Sequence, residues 1–427
     1  MPDSTQHCRT AVIAILVTAV TSWSVVGICL PVELVAGEPG QTLPSPSPTT
    51  LSATSLASSL ERVSAVDPSE QVDSLVRELL TIRRLGADTL LRVGVHLAQQ
   101  GFYSGAAEVF SRCVRDHPAV FEAHYDLALA ELALGRDRHA LAHIEAAPRG
   151  TAIDEVARRY LRGKIEAALG ETQQAGRDLA AAFGAEPQQE DYALEFGLFC
   201  LRQRRYGQAA RIFQRAIEIN PHSSYLLLGL SLAEFREGRD AECIQACQNL
   251  LALDPEFSPA RLLLAFVLYI DGKLSDSEKI AAGGFGNFRP DPYLYYLDVA
   301  DLLKLHATAY VRMLSEIAAA EKGIPHCSLC LVAESKIHQR QGRMRAAIAA
   351  AEEAVDMDAA YPDAWYRLAL LYERTGRPAD ARKARARFNA LKTAKVAGEN
   401  ELLKRVFMKT LGDPEGAAPA SGNNIHN

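Results

Sequence analysis

Glycine residues return along the middle of this chain with a period of about 34 residues, and this period constrains the fold more than any other feature. The intervals between successive members are 34, 35, 68, 34, 70 and 34 residues, each close to one or two periods. The glycines are Gly101, Gly135, Gly170, Gly238, Gly272, Gly342 and Gly376. A fixed period of this length predicts that one supersecondary unit is stacked many times.

The pattern within each period predicts a helix, a short turn and a second helix. Between Asp191 and Pro221, apolar residues follow helical spacing as far as Cys200 and again from Ala209. The sequence Arg204-Arg205-Tyr206-Gly207 interrupts that spacing. The composition agrees with this prediction, because helix formers are frequent and only 7% of the residues are aromatic.

Small residues recur at the places where the two helices of a unit must approach closely. In the first helices they are Gly94, Ala128, Gly163, Gly197, Ser231, Ala265, Ser335 and Ala369, and in the second helices Ala106, Ala140, Ala175, Ala209, Ala347 and Ala381. A larger side chain at such a place is expected to cost about 1 to 3 kcal/mol, because it would push the helix pair apart.

The order of small, large apolar, glycine, alanine, aromatic and proline residues resembles the tetratricopeptide repeat (TPR). The unit Pro362–Lys395 shows it most clearly, with Trp365, Leu368, Ala369, Tyr372, Gly376 and Ala381 in place. The other clear units are Ala87–Val120, Phe121–Glu155, Val156–Gln189, Glu190–Ser223, Ser224–Phe257 and Ser328–Tyr361, and the poor ones are Ser258–Asp291 and Pro292–Cys327. The resemblance implies an all-α fold: a right-handed α-solenoid of about nine stacked helix-turn-helix repeats, two of them degenerate.

The repeats occupy the middle of the chain, and other material flanks them. We expect a capping helix over 67–86, repeats over 87–257, degenerate repeats over 258–327 and repeats over 328–395. A second capping helix is expected over 396–411 and a disordered tail over 412–427. Residues 37–66 are rich in Pro, Ser and Thr, which predicts a disordered linker.

The first 36 residues are typical of a leader. An apolar run from Ala11 to Leu30 follows Arg9 and is roughly long enough to cross a bilayer. We therefore expect export to the periplasm or the extracellular space, with either a cleaved signal peptide or a retained signal anchor.

The first helices of TPR proteins line a concave groove, so the resemblance implies where a partner would bind. The groove side corresponds to the second, fifth, ninth and twelfth places of each unit, and several of these places hold apolar or aromatic residues. The candidate contact residues are Tyr125, Leu129, Leu198, Leu232, Phe235, Phe266 and Tyr269. This stripe predicts a non-catalytic scaffold or adaptor of the cell envelope that binds a partner helix or an apolar peptide. The alternative is that the stripe packs helix against helix within the chain.

Charge narrows the choice of partner. With 46 Lys and Arg against 52 Asp and Glu, the chain has a formal charge of −6, which argues against nucleic acid as a partner. The ninth places also lack the Lys, Asn and Arg pattern with which some TPR domains clamp the acidic tails of chaperones. A basic cluster over 374–395 could bind phospholipid head groups or an acidic partner. Either this cluster or the leader could therefore associate the chain with a membrane. The alternative is that the cluster is only a solvated helix face.

Cys327 and Cys330 form the chain's one Cys-x-x-Cys motif and carry the alternative function, a redox or enzyme-accessory protein. Thioredoxin-like enzymes place this motif in a βαβ unit, which the pattern here does not predict, so a local disulfide or ordinary thiols are the simpler interpretation. A second cysteine pair for a zinc site is missing, as is a Gly-x-Ser-x-Gly nucleophile elbow. We therefore expect neither a cofactor, a metal nor a catalytic site.

Overall fold

The computed structural model describes residues 53–64, 69–286, 290–324 and 326–393, which form 20 α-helices and no strand. The first nine are α1 (Ala53–Leu60), α2 (Ser69–Leu80), α3 (Ala87–Gln99), α4 (Tyr103–Asp116), α5 (Phe121–Ala133), α6 (Asp137–Ala146), α7 (Ala152–Ala168), α8 (Thr172–Ala185) and α9 (Glu190–Arg202). They are followed by α10 (Tyr206–Ile219), α11 (Ser224–Glu237), α12 (Asp240–Leu253), α13 (Ser258–Ile270), α14 (Leu274–Ala282), α15 (Pro292–Lys304), α16 (Tyr310–Gly323), α17 (Ser328–Arg340), α18 (Met344–Met357), α19 (Pro362–Arg374) and α20 (Pro378–Thr393).

Consecutive helices pack in pairs, which confirms the predicted all-α solenoid of helical repeats. The contacts divide the chain into two compact units, one ending at Phe199 and the other beginning at Cys200. We call them the first unit and the second unit. The segment expected to hold degenerate repeats also forms helix pairs, α13 with α14 and α15 with α16.

The turn between the helices of each pair explains the glycine period. All seven periodic glycines have a positive φ, between 71° and 88°, which glycine adopts without steric cost. The two missing places in the series are filled by Arg204 and His306, each with a φ of 57°. The same hydrogen bond closes these turns, since the amide of Phe102 donates to the Leu97 carbonyl and the amide of Ala307 donates to that of Leu302, both at 2.9 Å.

Replacing Arg204 by glycine is expected to raise the free energy of unfolding of the second unit by about 0.5 to 1 kcal/mol. A residue with a side chain pays a steric cost in the left-handed conformation, and glycine removes that cost. The net gain is smaller than this cost, because glycine also makes the unfolded chain more flexible and so stabilises it. Denaturant titration of the full chain measures it, with Arg204→Ala as the matched control because alanine removes the side-chain contacts but keeps the backbone strain. A lower midpoint for Arg204→Gly than for Arg204→Ala would show that the backbone stores no strain at this turn, because only the entropy that glycine adds to the unfolded chain would then remain.

Small residues stand where the helices of a pair cross, as predicted. A β-carbon on Gly163 would lie 2.9 Å from Cγ of Leu179 on the facing helix. Polar small residues at equivalent places are buried and satisfied: Ser335 is fully buried and its Oγ donates to the Ala347 carbonyl at 2.6 Å. Close approach within each pair thus depends on the absence of a longer side chain.

Helix α1 corrects part of the predicted linker over 37–66. Leu56 and Leu60 of α1, and Val63 just after it, are at most 2% exposed because they join the core built by α2 and α3. The ring of His96 also makes a hydrogen bond of 2.7 Å with the Val63 carbonyl. The linker prediction was wrong for residues 53–64, where apolar residues spaced by four and three places were overlooked in a polar composition.

Of the other predictions for the flanking segments, one falls within the described residues and three fall outside them. Helix α2 lies in the segment expected to cap the repeats, and its Val72, Val76 and Leu79 are buried. The leader over 1–36, the capping helix over 396–411 and the tail over 412–427 lie outside the described residues. Among the helices that the structure describes, none combines the length and the apolar character needed to cross a bilayer.

Candidate functional site

A cavity of about 380 Å³ opens on the first helices of three successive repeats in the second unit. Helix α15 lies between α13 and α17 and contacts both. The cavity is lined by Tyr269 from α13, by Tyr296, Ala300, Leu303 and Lys304 from α15 with the adjoining His306, and by Ala333, Lys336 and Arg340 from α17. We call it the α15 cavity.

The repeat period places these side chains on one surface. Tyr269 and Leu303 occupy the twelfth place of their units, Ala300 and Lys336 the ninth, and Tyr296 the fifth. Residues at such spacings share one face of a helix, so packing α13, α15 and α17 side by side brings them together.

The inner wall of the cavity is aromatic and apolar. Tyr269 and Tyr296 are each 2% exposed, and Ala300 and Ala333 are also buried. The two alanines matter because a larger side chain on α15 or α17 would occupy the cavity. The wall therefore offers ring surface and empty space between rigid helices.

The rim of the cavity is cationic. Nζ of Lys304 lies 3.5 Å from the centroid of the Tyr269 ring, a cation–π contact that holds the ammonium at the mouth. Arg340 donates from Nη2 to the Leu303 carbonyl at 2.5 Å, and Lys336, one turn earlier on α17, is half-buried. No carboxylate belongs to the lining that the described residues provide. The site combines aromatic walls with three positive charges.

Comparison with known proteins agrees with this architecture. The sequence profile described as a tetratricopeptide repeat matches residues 93–153, 160–224, 201–257 and 332–387, which together are half of the chain. The chain belongs to the tetratricopeptide repeat family. The matched segments leave out 258–331, the part of this TPR chain that supplies Tyr269 and the α15 side of the cavity.

Individual relatives match smaller parts. Superkiller complex protein 3 of Mus musculus is 31% identical over 134 residues, which are 29% of this chain and 9% of that protein. A TPR protein from Parabacteroides merdae is 18% identical in sequence, with a TM-score of 0.40 over 59% of this chain and 98% of its own. The C-terminal part of a TPR repeat-containing protein from Cytophaga hutchinsonii is 14% identical, with a TM-score of 0.43 over 65% of this chain and 99% of its own.

The seven residues expected to contact a partner are mostly interior in this structure. Of them, Tyr269 lines the α15 cavity and Leu129 is half-buried. Tyr125 is 7% exposed, and Leu198, Leu232, Phe235 and Phe266 are 1 to 2% exposed. The rings of Phe235 and Phe266 pack edge to face, 6.1 Å apart, between first helices, which is the helix-packing alternative. Partner contact by these residues stays a prediction.

The first unit has a filled cluster on its own first helices, which the sequence did not reveal. The rings of Tyr160 and Tyr192 lie 4.5 Å apart, and Nζ of Lys164 lies 3.6 Å from the Glu195 carboxylate. Burial raises the pKa of the Tyr160 hydroxyl well above its ordinary value, and it also raises the pKa of Asp191. These groups are arranged to satisfy one another in the interior.

The six cysteines of the described segments divide into one disulfide and four buried thiols. Cys327 and Cys330 are joined, and Sγ of Cys327 accepts a hydrogen bond of 3.2 Å from the Cys330 amide at the start of α17. Cys113, Cys200, Cys243 and Cys247 are buried, as their packing role predicts. Burial raises the pKa of Cys113 to about 11 and that of Cys200 to about 12, which keeps both thiols protonated and unreactive at neutral pH.

Within the described segments, His, Cys, Asp and Glu residues form no group of three or more placed to hold a metal ion. The feature of this cavity that the sequence analysis did not predict is its cationic rim. Lys336 at a ninth place could have revealed it, had the stripe been followed beyond Tyr269.

Proposed function

We propose that this chain is a non-catalytic scaffold that binds a protein partner on the surface formed by α13, α15 and α17. TPR proteins are generally protein–protein interaction scaffolds, and the α15 cavity is the observation that carries the assignment to this surface. A concave patch with aromatic walls and a few convergent polar groups has the character of a recognition site.

The degenerate repeats support the same surface. Residues 258–331 depart from the family pattern yet keep their helix pairs, so the departure changes side chains rather than the scaffold. The changed side chains include Lys304 and His306 at the mouth of the cavity. A repeat that keeps its fold while losing its consensus surface is suited to a dedicated contact.

We also propose that the protein works outside the cytoplasm, in the cell envelope. Disulfides persist in oxidising compartments, so the Cys327–Cys330 bond supports this location. The predicted leader lies outside the described residues, and intact-mass measurement of the native protein tests whether it is cleaved. A retained leader would instead favour a membrane-anchored scaffold.

Filling the α15 cavity is expected to abolish partner capture. Ala300→Leu adds three carbons to a buried side chain that lines the cavity, whereas Ala318→Leu makes the same change on an exposed face of α16 in the same repeat. Both full-length variants serve as baits in crosslinking pull-downs from native extract, after circular dichroism shows equal helix content. We expect partners to be lost with Ala300→Leu and kept with Ala318→Leu.

Retention of the same partners by both baits would place the binding surface elsewhere. If Ala300→Leu loses helix content, Lys304→Ala takes its place, because it removes a rim side chain whose position is exposed. That variant leaves the helix packing unchanged and still alters the mouth of the cavity.

A further inference from the structure

We propose that the outer face of α20 docks the second unit on a membrane surface that contains anionic lipids. Three cations form this face, Arg382, Lys383 and Arg387, and we call it the basic face. The inference goes beyond the proposed function, because α20 is the second helix of its pair and shares no residue with the described lining of the α15 cavity. It commits the basic cluster over 374–395 to one of the partners that its sequence allows.

Helix α20 carries its apolar and its basic residues on different sides. Ala381, Ala384 and Leu391 are buried, and their spacing places them on one side of the helix. The three cations of the basic face are exposed and lie away from that side. The exposed residues around them are uncharged and mostly small: Ala379, Ala386, Asn389, Ala390 and Thr393. The solvent side of α20 is thus positively charged, although the chain as a whole has a formal charge of −6.

The cations of the basic cluster differ in whether a carboxylate pairs with them. Nε of Arg377 donates to Asp380, the one acidic residue of α20, at 2.8 Å. Nη2 of Arg385 lies 2.6 Å from the Glu373 carboxylate. The described residues provide no ion pair for the three cations of the basic face. Their charge is therefore available to a ligand from outside the chain.

Helix stability does not account for the basic face. Lys383 and Arg387 stand four residues apart on α20, where like charges repel and destabilise a helix slightly. The last turn, in which the helix dipole favours a cation, holds Lys392 and none of the three. A ligand that carries negative charge explains these positions better than the helix itself does.

The composition of the face favours a lipid surface over a protein. The core of a protein–protein interface is depleted in Lys and rich in apolar contacts, whereas the basic face has only small or uncharged residues between its cations. A bilayer surface with anionic lipids needs no such core, since each Lys or Arg near it strengthens binding about fivefold through its charge. The predicted leader routes the chain through a membrane, whether it is cleaved or retained, so such a surface lies on its path.

An exposed aromatic pair adjoins the basic face. The rings of Tyr366 on α19 and Phe388 on α20 lie 5.3 Å apart, and Tyr366 is 48% exposed. Nζ of Lys392 lies 5.9 Å from the centroid of the Phe388 ring, so a further cation stands beside the pair. Tyrosine beside Lys and Arg suits the level of lipid head groups, where the ring contacts apolar chains and the hydroxyl stays in water. The pair therefore gives the basic face an apolar edge that a bilayer can receive.

The test measures how the full chain sediments with two sets of vesicles. One set contains phosphatidylglycerol and phosphatidylcholine in equal parts, and the other contains phosphatidylcholine alone. Dividing the two partition coefficients removes apolar insertion of the leader, which is the same in both sets. We expect the anionic vesicles to bind at least about tenfold more tightly, and this preference to shrink as salt rises from about 0.1 M to about 0.5 M.

A charge-matched control separates the basic face from general attraction. The face variant combines Arg382→Gln, Lys383→Gln and Arg387→Gln. The control variant removes the same charge from exposed places on the second helices α6, α8 and α10, by Arg138→Gln, Arg177→Gln and Arg211→Gln. We expect the anionic preference to fall at least about tenfold with the face variant and less than about threefold with the control.

A charge-conserving variant tests how the cations are recognised. Arg382→Lys with Arg387→Lys keeps the charge but replaces each planar guanidinium by a point charge. A lipid surface should bind this variant within about twofold of the natural chain, because it responds to charge. A loss as large as that of the face variant would indicate a contact that needs guanidinium geometry, and membrane docking would be wrong. Circular dichroism checks the helix content first, and Lys383→Gln alone, with an expected loss of about fivefold, replaces the face variant if that content falls.

The remaining outcomes also decide the inference. Equal losses with the face and control variants, or equal binding to the two sets of vesicles, would overturn it. If vesicle binding ignores the basic face while pull-downs from native extract depend on it, the partner is an acidic protein and membrane docking is wrong. Ala300→Leu should leave vesicle binding unchanged, so failure of the proposed function would not alter the result of this test.

Discussion

Replacing Arg312 by methionine is expected to lower the free energy of unfolding of the second unit by about 3 to 5 kcal/mol above about pH 9, where Asp298 is ionised, because it leaves a buried carboxylate without its cation. Nη2 of Arg312 lies 2.8 Å from each oxygen of Asp298, whose side chain is fully buried. Nε donates to Glu316 at 2.7 Å, and Nη2 also donates to Glu278 at 3.2 Å. One guanidinium thus holds three carboxylates from α14, α15 and α16.

The pH dependence of the stability tests whether the loss comes from the charge of the buried carboxyl groups. Burial, with Glu316 close by, raises the pKa of Asp298, and burial raises that of Asp301 to about 7. A carboxyl group whose pKa is higher in the folded chain binds a proton there that the unfolded chain releases above its ordinary pKa of about 4. The contribution of these groups is therefore greatest in acid and falls as the pH rises from about 4 through the folded-state pKa values, about 7 for Asp301 and about 9 for Asp298.

Arg312→Met should consequently cost less at about pH 5 than at about pH 10, because a protonated Asp298 needs no cation. Chemical denaturation at the two pH values measures the difference. Asp298→Asn is the matched variant: combined with Arg312→Met, it should recover part of the loss, since the buried charge is gone. A loss below about 1 kcal/mol at pH 10, or one that does not vary with pH, would show that Arg312 is a surface group of little consequence.

The repeat architecture could be predicted from the sequence because a left-handed turn recurs about every 34 residues and is occupied mainly by glycine. Arg204 and His306 adopt the same conformation with side chains. They were missed because glycine only permits that conformation and the packing of the helix pair imposes it. The spacing alone, continued from Gly170 and Gly272, would have located both.

Prediction of the site was less complete for a different reason. The twelfth-place rule located Tyr269, since a position on a helix face follows from spacing. It missed Lys304, Lys336 and Arg340, because the predicted stripe was apolar, whereas the cavity combines apolar walls with a cationic rim. The ion pair between Asp298 and Arg312 could not be predicted either, because it depends on how α15 packs against α16.

Helix α1 shows how composition can mislead. A segment rich in Ser, Thr and Pro buries little apolar surface on average, but Leu56 and Leu60 are enough to pack one short helix against existing helices. Average composition describes a segment in isolation. The core formed by α2 and α3 gives this segment apolar surface to pack against, and that burial offsets the entropy lost when the segment is ordered.

Replacing Gly94 by valine is expected to destabilise the first unit by about 3 kcal/mol, near the upper end of overpacking costs. A β-carbon on Gly94 would lie 2.7 Å from Cζ of Phe110 and closer still to Cε1. The Phe110 side chain is 1% exposed and closed in by its own core, so the ring has little room to move. The extra atoms would force α3 and α4 apart.

Gly184 provides the matched control, because its added β-carbon would meet nothing within 4 Å near the exposed end of α8. Gly184→Ala should be neutral or stabilise by up to about 1 kcal/mol, since alanine has the higher helix propensity, whereas Gly94→Ala should destabilise despite the same gain. Adding Phe110→Leu to Gly94→Ala should restore part of the loss, because the smaller side chain vacates the contact, and a double-mutant cycle over urea titrations measures that coupling. If Gly94→Ala and Gly184→Ala shift the midpoint equally, close helix approach is not what the small residues of the repeat provide, and helix propensity alone would explain them.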